Sequence, residues 1–380
     1  MSLPVGGLGI DLDDTAALEA GDPGGMLRDI ASSAAQVREA AVLAREAGVE
    51  RVAEIGRPRA VVVCGMGGSG IAGDVLAAVA GLGAPVPVVT HRGYGLPGWV
   101  GAADLVIAVS CSGTTEETLS ALEEAVRRGA SLLVVGAEGS PLAALGERGR
   151  AVFVPVRQGR QPRASVWALS TPLLLAGDAL GLLDASPSTV EAVATALEDV
   201  AARCRVDAEE LVNPAKQLAA HLTGSLPVVW GTSPAAGVAA YRLACQLNEN
   251  ACSPATWGVL PEANHNQVVA LDGPFAGGGG EDDFFRDRTE DDDGPRLALV
   301  LLRDAEEHPQ VARRADVSAH LAQERRVRVH SLTAEGATPW ERLARLVGAG
   351  DFASAYVALA AGTDPTPVEA IEELKRAIAR

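Results

Sequence analysis

Between residues 58 and 183, short apolar, β-branched runs alternate with stretches of helical period. The runs are Ala60–Cys64, Val86–Thr90, Leu105–Ser110, Ser131–Val135 and Val152–Val156, and the helical stretches are Ile71–Ala80, Thr114–Arg128 and Pro141–Glu147. A strand that is apolar at every position is covered on both faces, so the alternation predicts a doubly wound parallel sheet of α/β class. Ser165–Leu183 follows as an apolar helix. Upstream, Met26, Ile30, Ala34, Val37, Ala41 and Leu43 recur at helical spacing and predict one helix over Met26–Ala47, whereas residues 1–23 read as an irregular lead-in.

The pattern then starts again. Pro187–Leu222 reads as helices broken near Pro214; Pro227–Trp230 is a strand, followed by G-T-S-P and a helix from Ala235 to about Gln246. In the first half, Ala60–Cys64 is followed by G-M-G-G-S-G and a helix from Ile71. The shared order of strand, Gly/Ser loop and helix predicts two copies of one fold in tandem. Later strands fall at Leu297–Leu302 and Arg326–Leu332, with helices at Gln310–Gln323 and Pro339–Ala361 and a last amphipathic helix opened by Pro365 and Pro367. The expected division is an N-terminal extension and helix (1–50), a first domain (51–185) and a second domain (186–380). The second carries four consecutive Gly and a run of carboxylates within 273–295, read as a mobile, solvated loop.

Composition narrows the partners. Hydrophobic residues make up 48% and charged residues 21%, as in an ordinary globular chain. The net charge of −17 disfavours nucleic acid and anionic membrane, and any anionic substrate must be held locally against that field. No apolar run reaches membrane length and no basic, apolar leader opens the chain. Five Cys without a C-x-x-C predict free thiols and a cytoplasmic location. Six dispersed His without H-x-x-x-H spacing predict no metal, and no cofactor is expected. Of the 32 basic residues only Lys216 and Lys375 are Lys, which makes them candidates for positions that need a compact ammonium.

Three stretches carry chemistry. Gly65, Gly67 and Gly70 satisfy G-x-G-x-x-G between a strand and a helix, but the acid that would hold a dinucleotide ribose is missing, since the next strand ends Thr90-His91-Arg92. What remains is a Gly loop whose N–H groups and Ser69 hydroxyl suit an anion. Ser110-Cys-Ser-Gly-Thr-Thr-Glu-Glu sits at the same sheet edge; Thr114 with Glu117 fits a capping box, which covers one or two hydroxyls but does not explain the four, Ser110, Ser112, Thr114 and Thr115, that flank the Gly. Together the two loops make a phosphate cradle of neutral donors. The third stretch, Leu247–Asn266, gathers Glu249, Glu262, His265 and four Asn near the end of a helix and on short loops, suited to general acid/base work.

The pair G-M-G-G-S-G and S-C-S-G-T-T-E-E-T resembles the sugar isomerase (SIS) domain. With N-E-N-A…P-E-A-N-H-N, Gln161-Pro-Arg163-Ala-Ser and the Lys375 helix, the chain from about residue 55 onward resembles the bifunctional phosphoglucose/phosphomannose isomerase family. That resemblance implies two SIS-type αβα sandwiches. It also implies metal-independent aldose–ketose isomerisation of glucose 6-phosphate and/or mannose 6-phosphate with fructose 6-phosphate through a cis-enediol(ate). It places phosphate and substrate binding on Gly67, Gly68, Ser69, Ser110, Ser112, Thr115 and Thr366. It puts the base at Glu249, ring opening at His265, and supporting roles at Arg163 and Lys375. It further implies a homodimer with the active site at or near the interface. The chain departs from the family's pattern at Cys111, Cys252 and Asn264 and in the acidic stretch. The competing expectations are a non-catalytic phosphosugar-binding regulator, and an SIS isomerase for another phosphosugar. The first lacks any basic helical segment for DNA.

Overall fold

The computed structural model describes residues 10–277 and 294–378. They form two compact units. One is Arg28–Asp199 with Ala337–Ala344; the other contains Val200–Gly336, Arg345–Arg380 and the N-terminal segment up to Leu27.

The described part of the N-terminal lead-in, residues 10–23, is more ordered than its composition suggests. It holds helix α1 (Thr15–Gly21), capped by the Asp14 side chain on the Ala17 N–H and anchored by the fully buried Leu18. The single helix expected over 26–47 is two, α2 (Met26–Ala31) and α3 (Ser33–Glu46). At the break the Ser32 hydroxyl donates to the Asp29 carbonyl at 2.7 Å, a local competition typical of Ser within a helical stretch.

In the 28–199 unit, β1 (Val61–Cys64), helix α4 (Gly68–Ala80), β2 (Val88–His91), β3 (Leu105–Ser110), α5 (Glu116–Arg128), β4 (Ser131–Gly136), α6 (Pro141–Arg148) and β5 (Val152–Pro155) follow in turn. The five strands are all parallel, in the order β2-β1-β3-β4-β5. β1 and β3 are buried at every residue, as central strands covered on both faces must be. α7 (Val166–Ala179), buried along nearly its whole length, packs on α3 and α4. α8 (Pro187–Arg203) closes this part of the chain. β2 starts at Val88 and not Val86, because Pro85 and Pro87 lack the N–H groups a ladder needs.

The second unit repeats the arrangement. α9 (Pro214–Leu222), β6 (Leu226–Gly231), α10 (Pro234–Ala251), β7 (Thr256–Val259), α11 (Glu262–Asn266), β8 (Leu297–Asp304), α12 (Pro309–Glu324) and β9 (Arg328–Ala334) build a parallel sheet ordered β7-β6-β8-β9. Relative to its first strand the order matches that of β2-β1-β3-β4. α13 (Pro339–Ala360) is long and apolar enough to cross a membrane, but its apolar window is 89% buried inside the protein, as in a core helix. α14 (Glu369–Ile378) ends the described chain, exposed at every residue. Edge strand β7 is absent from the sequence expectation: four residues between two prolines, with Thr256 and Trp257 exposed, show neither alternation nor an apolar run. Most of the 273–295 stretch, residues 278–293, lies outside the described residues.

Lys216 has a structural role. It is buried, donates to the Val206 carbonyl at 2.8 Å, and sits over the Tyr356 ring. All five cysteines are free; burial pushes the Cys64 and Cys204 thiols up to about 12, so both are inert.

Candidate active site

In an open parallel sheet, ligands bind beyond the carboxyl ends of the strands, where the strand order reverses direction. In the 28–199 unit that point lies between β1 and β3. The two loops leaving these strands are Gly65–Gly70 and Ser110–Thr115. A Cβ at Gly65 would stand 3.0 Å from the Val109 carbonyl oxygen and 2.9 Å from the Ser69 backbone, so the first loop lies directly against the end of β3 and only Gly fits. Gly67 precedes α4 with a φ of 52°, and the Gly67 and Gly68 N–H groups make no hydrogen bond among the described residues. Ser69 is buried in the first turn of α4. These are the orphan donors of a helix start, positioned to hold an anion.

The second loop corrects the capping-box expectation. α5 begins at Glu116, and neither Thr114 nor Thr115 caps it. The Thr115 hydroxyl lies 2.8 Å from the Ser110 hydroxyl, and the Thr114 hydroxyl 3.0 Å from that of Ser112. Ser110 Oγ also accepts from the Gly113 N–H at 3.0 Å. Gly113 has a φ of 69° and a Cβ there would fall 2.1 Å from Ser140 Oγ, so any side chain would open the loop. The hydroxyls thus bind one another, and no side chain among the described residues caps the first-turn N–H groups of α5.

Arg163 joins the same edge. It sits in a short 3-10 turn, Pro162–Ala164, between β5 and α7. The Pro162 carbonyl comes within 3.9 Å of the Cβ position of Gly68, and the Ser165 side chain lies beside the Cys111 thiol. Arg163 is 7% exposed, so it is no solvated surface arginine. The 28–199 unit therefore brings together Gly67, Gly68, Ser69, Ser110, Ser112, Thr115 and Arg163. Arg92, which stands where a ribose-binding acid would be, pairs with Asp74 and has its guanidinium against Gly70.

The second unit has its own reversal point, between β6 and β8, but fills it internally. Ser233 caps α10 and donates to the Asp304 carboxylate at 2.7 Å, and the Asp304 N–H donates to Thr232 Oγ1. A carboxylate thus occupies the place where the other unit leaves open donors.

What the second unit offers lies at the far end of α10. That helix runs to Ala251, past the expected end at Gln246, so Glu249 falls in its last turn. Arg242, Gln246 and Asn250 lie along one face and bond to α13: Arg242 clasps Asp351 with two hydrogen bonds of 2.8 and 2.7 Å, Gln246 reaches Asp351 at 3.4 Å, and Asn250 donates to Ser354 at 2.9 Å. Glu249 is half-buried and has no hydrogen-bond or ion-pair partner among the described residues. A carboxylate at the negative end of a helix is electrostatically unfavourable.

His265 lies on α11, a single turn of helix and not a loop. The turn is pinned on both sides of it. Asn264 donates to Ser318 at 2.7 Å, and Gln267 accepts from the buried Trp230 indole at 2.7 Å and donates to the Trp257 carbonyl at 3.1 Å. His265 itself is exposed and has no hydrogen-bond partner among the described residues. Lys375 stands on exposed α14 without a partner among them. Thr366 lies upstream of that helix, its hydroxyl 2.2 Å from where a Cβ of Gly24 would be. Reading the sequence alone missed the pins Arg242–Asp351, Asn250–Ser354 and Gln267; the i, i+4, i+8 spacing of Arg242, Gln246 and Asn250 is the one signal that pointed to the first two. Among the described residues no three His, Cys, Asp or Glu side chains are gathered as metal ligands.

The loops and the sheet order define a tandem SIS-domain protein. Residues 54–152 match the SIS domain, and residues 211–378 match the bacterial phospho-glucose isomerase C-terminal SIS domain. The chain is 33% identical over 319 residues to a bifunctional phosphoglucose/phosphomannose isomerase of Caldicellulosiruptor bescii, covering 84% of this chain and 89% of that one. It is 31% identical over 318 residues to the protein of the same name from Aquifex aeolicus, covering 83% and 89%. A glucose-6-phosphate isomerase structure from Chlamydia trachomatis shares the fold, with a TM-score of 0.69 at 13% identity over 96% of this chain and 83% of that one. The chain belongs to the bifunctional phosphoglucose/phosphomannose isomerase family.

Proposed function

We propose that the chain is a metal-independent aldose–ketose isomerase that interconverts glucose 6-phosphate and/or mannose 6-phosphate with fructose 6-phosphate. The observation that carries this reading is the half-buried Glu249 carboxylate, without a partner among the described residues, at the negative end of α10, a helix whose Arg242, Gln246 and Asn250 are all bonded to α13. A position that opposes the local field persists where the group has chemistry to do. In this reading the phosphate sits on the Gly67, Gly68 and Ser69 start of α4 and on Ser110, Ser112 and Thr115. His265 moves a proton between the anomeric hydroxyl and the ring oxygen, opening the ring. Glu249 takes the C2 proton, leaving the electron pair in an enediolate; the C2 hydroxyl proton passes to the C1 oxygen, and Glu249 returns its proton to C1 as the C2 carbonyl forms. Arg163 offsets the enediolate charge, and Lys375 and Thr366 hold the sugar. The protein works as a homodimer with the active site at or near the subunit interface, in the cytoplasm, in keeping with five free thiols.

A coupled assay offering each of the three hexose phosphates in turn tests this. The expected result is turnover of fructose 6-phosphate together with at least one aldose. Binding without turnover of any would instead mark a regulatory phosphosugar-binding protein.

A further inference from the structure

We propose that Asp29 and Gln36, on the N-terminal helices α2 and α3, are positioning residues that hold the Arg163 turn in its working place. The proposal rests on the role given to Arg163 above. Two side chains bracket that turn. On its near side the Gln161 N–H donates to Asp29 Oδ2 at 2.8 Å; on its far side the Ala164 carbonyl accepts from Gln36 Nε2 at 2.8 Å. Just upstream, Glu39 of α3 pairs with Arg157 at 2.7 Å and Arg160 at 3.1 Å. One pair of helices therefore grips the 157–164 segment at three levels.

The bracketing groups are not solvated. Gln36 is fully buried, with its Nε2 bonded to the Ala164 carbonyl and to Ser32 Oγ and its Oε1 without a partner among the described residues, and Asp29 is 7% exposed. A Leu or Ala at these positions of α2 and α3 would bury more simply; polar side chains there serve the turn they bind. Arg163 itself is buried between the two rungs, so a shift of either rung moves its guanidinium. The turn also borders both phosphate loops, through Pro162 at Gly68 and Ser165 at Cys111. Preorganised charge acts only where it is aimed, and a misplacement of about 1 Å costs on the order of a hundredfold in rate.

The experiment is steady-state kinetics of the full chain on fructose 6-phosphate, with Asp29→Ala, Asp29→Asn, Gln36→Leu and Arg163→Ala, singly and with Arg163→Ala combined with each of the others. Asp29→Asn keeps an oxygen acceptor for the Gln161 N–H. The account expects Asp29→Ala and Gln36→Leu to lower kcat about tenfold with KM within about threefold, Asp29→Asn to restore kcat, and neither loss to add to that of Arg163→Ala. If Gln36→Leu fails to fold, the Asp29 pair carries the comparison alone. Wild-type kcat for Asp29→Ala, or a loss that multiplies with that of Arg163→Ala, overturns the positioning role while leaving Arg163 in place. Wild-type kcat for Arg163→Ala itself sinks the role of Arg163, and the clamp's purpose with it.

Discussion

Ser110 and Thr115 hold their hydroxyls 2.8 Å apart across the turn that joins β3 to α5. The contact removes Thr115 from capping its own helix and leaves the α5 N-terminus without a side-chain cap among the described residues. If that opening takes the phosphate, both hydroxyls contribute to substrate binding. Hydrogen bonds to a charged group contribute about 1.5–3 kcal/mol each, so Ser110→Ala or Thr115→Ala should raise KM at least about tenfold. Thr115→Ser should stay near wild type. Competition by inorganic phosphate, measured beside KM, should weaken in parallel.

Arg242 and Asp351 fix α10 to α13, and both are almost fully buried. Removing one partner strands the other charge away from water. Asp351→Ala should destabilise the protein by about 3–5 kcal/mol, read from chemical denaturation, whereas a paired apolar replacement such as Arg242→Met with Asp351→Leu should recover most of that loss. Equal destabilisation by the single and paired changes would show that the ion pair is not the source.

His221 on α9 and His330 on β9 sit with ring centroids 5.5 Å apart. Burial, and then the neighbouring His330 and Arg328, push the His221 imidazole down to about 4, and burial lowers His330 as well. Below the ordinary histidine value of about 6.5 the unfolded chain takes up protons that the fold refuses, so stability falls as pH drops from there toward 4. Melting temperature measured across that window should decline in the wild type, and the decline should be shallower in His221→Gln.

Much of this architecture is legible from periodicity. The all-apolar runs of β1 and β3 and the repeated strand, Gly/Ser loop and helix announce two parallel sheets, and the sheets have matching strand orders. What escapes is what local sequence does not encode. The four residues of β7 are a strand only because β6 offers an edge to pair with. Thr114 and Glu117 spell a capping box, but the loop prefers hydroxyl pairing, which needs the β3 end already formed. At the site, residue type and loop position pointed to Ser69, Ser110 and Thr115. The groups that hold Glu249 and His265 in place come from α13, α12 and Gln267, residues about 100 positions away in the case of α13.

The chemistry assigned to Glu249 and His265 needs no metal. Prolonged incubation with EDTA, followed by removal of the chelator–metal complex, should leave turnover within about twofold of the untreated protein. Loss of activity restored by a divalent ion would require a different mechanism.

In the proposed mechanism one carboxylate, Glu249, carries the proton between C2 and C1. The most direct test is Glu249→Gln, a change that keeps size and hydrogen bonding but removes the base. Turnover of fructose 6-phosphate and its calorimetric binding are measured on the same preparation. The account predicts a kcat lower by about a thousandfold or more with binding within a few-fold of wild type. A Glu249→Gln protein that still isomerises at the wild-type rate would contradict it.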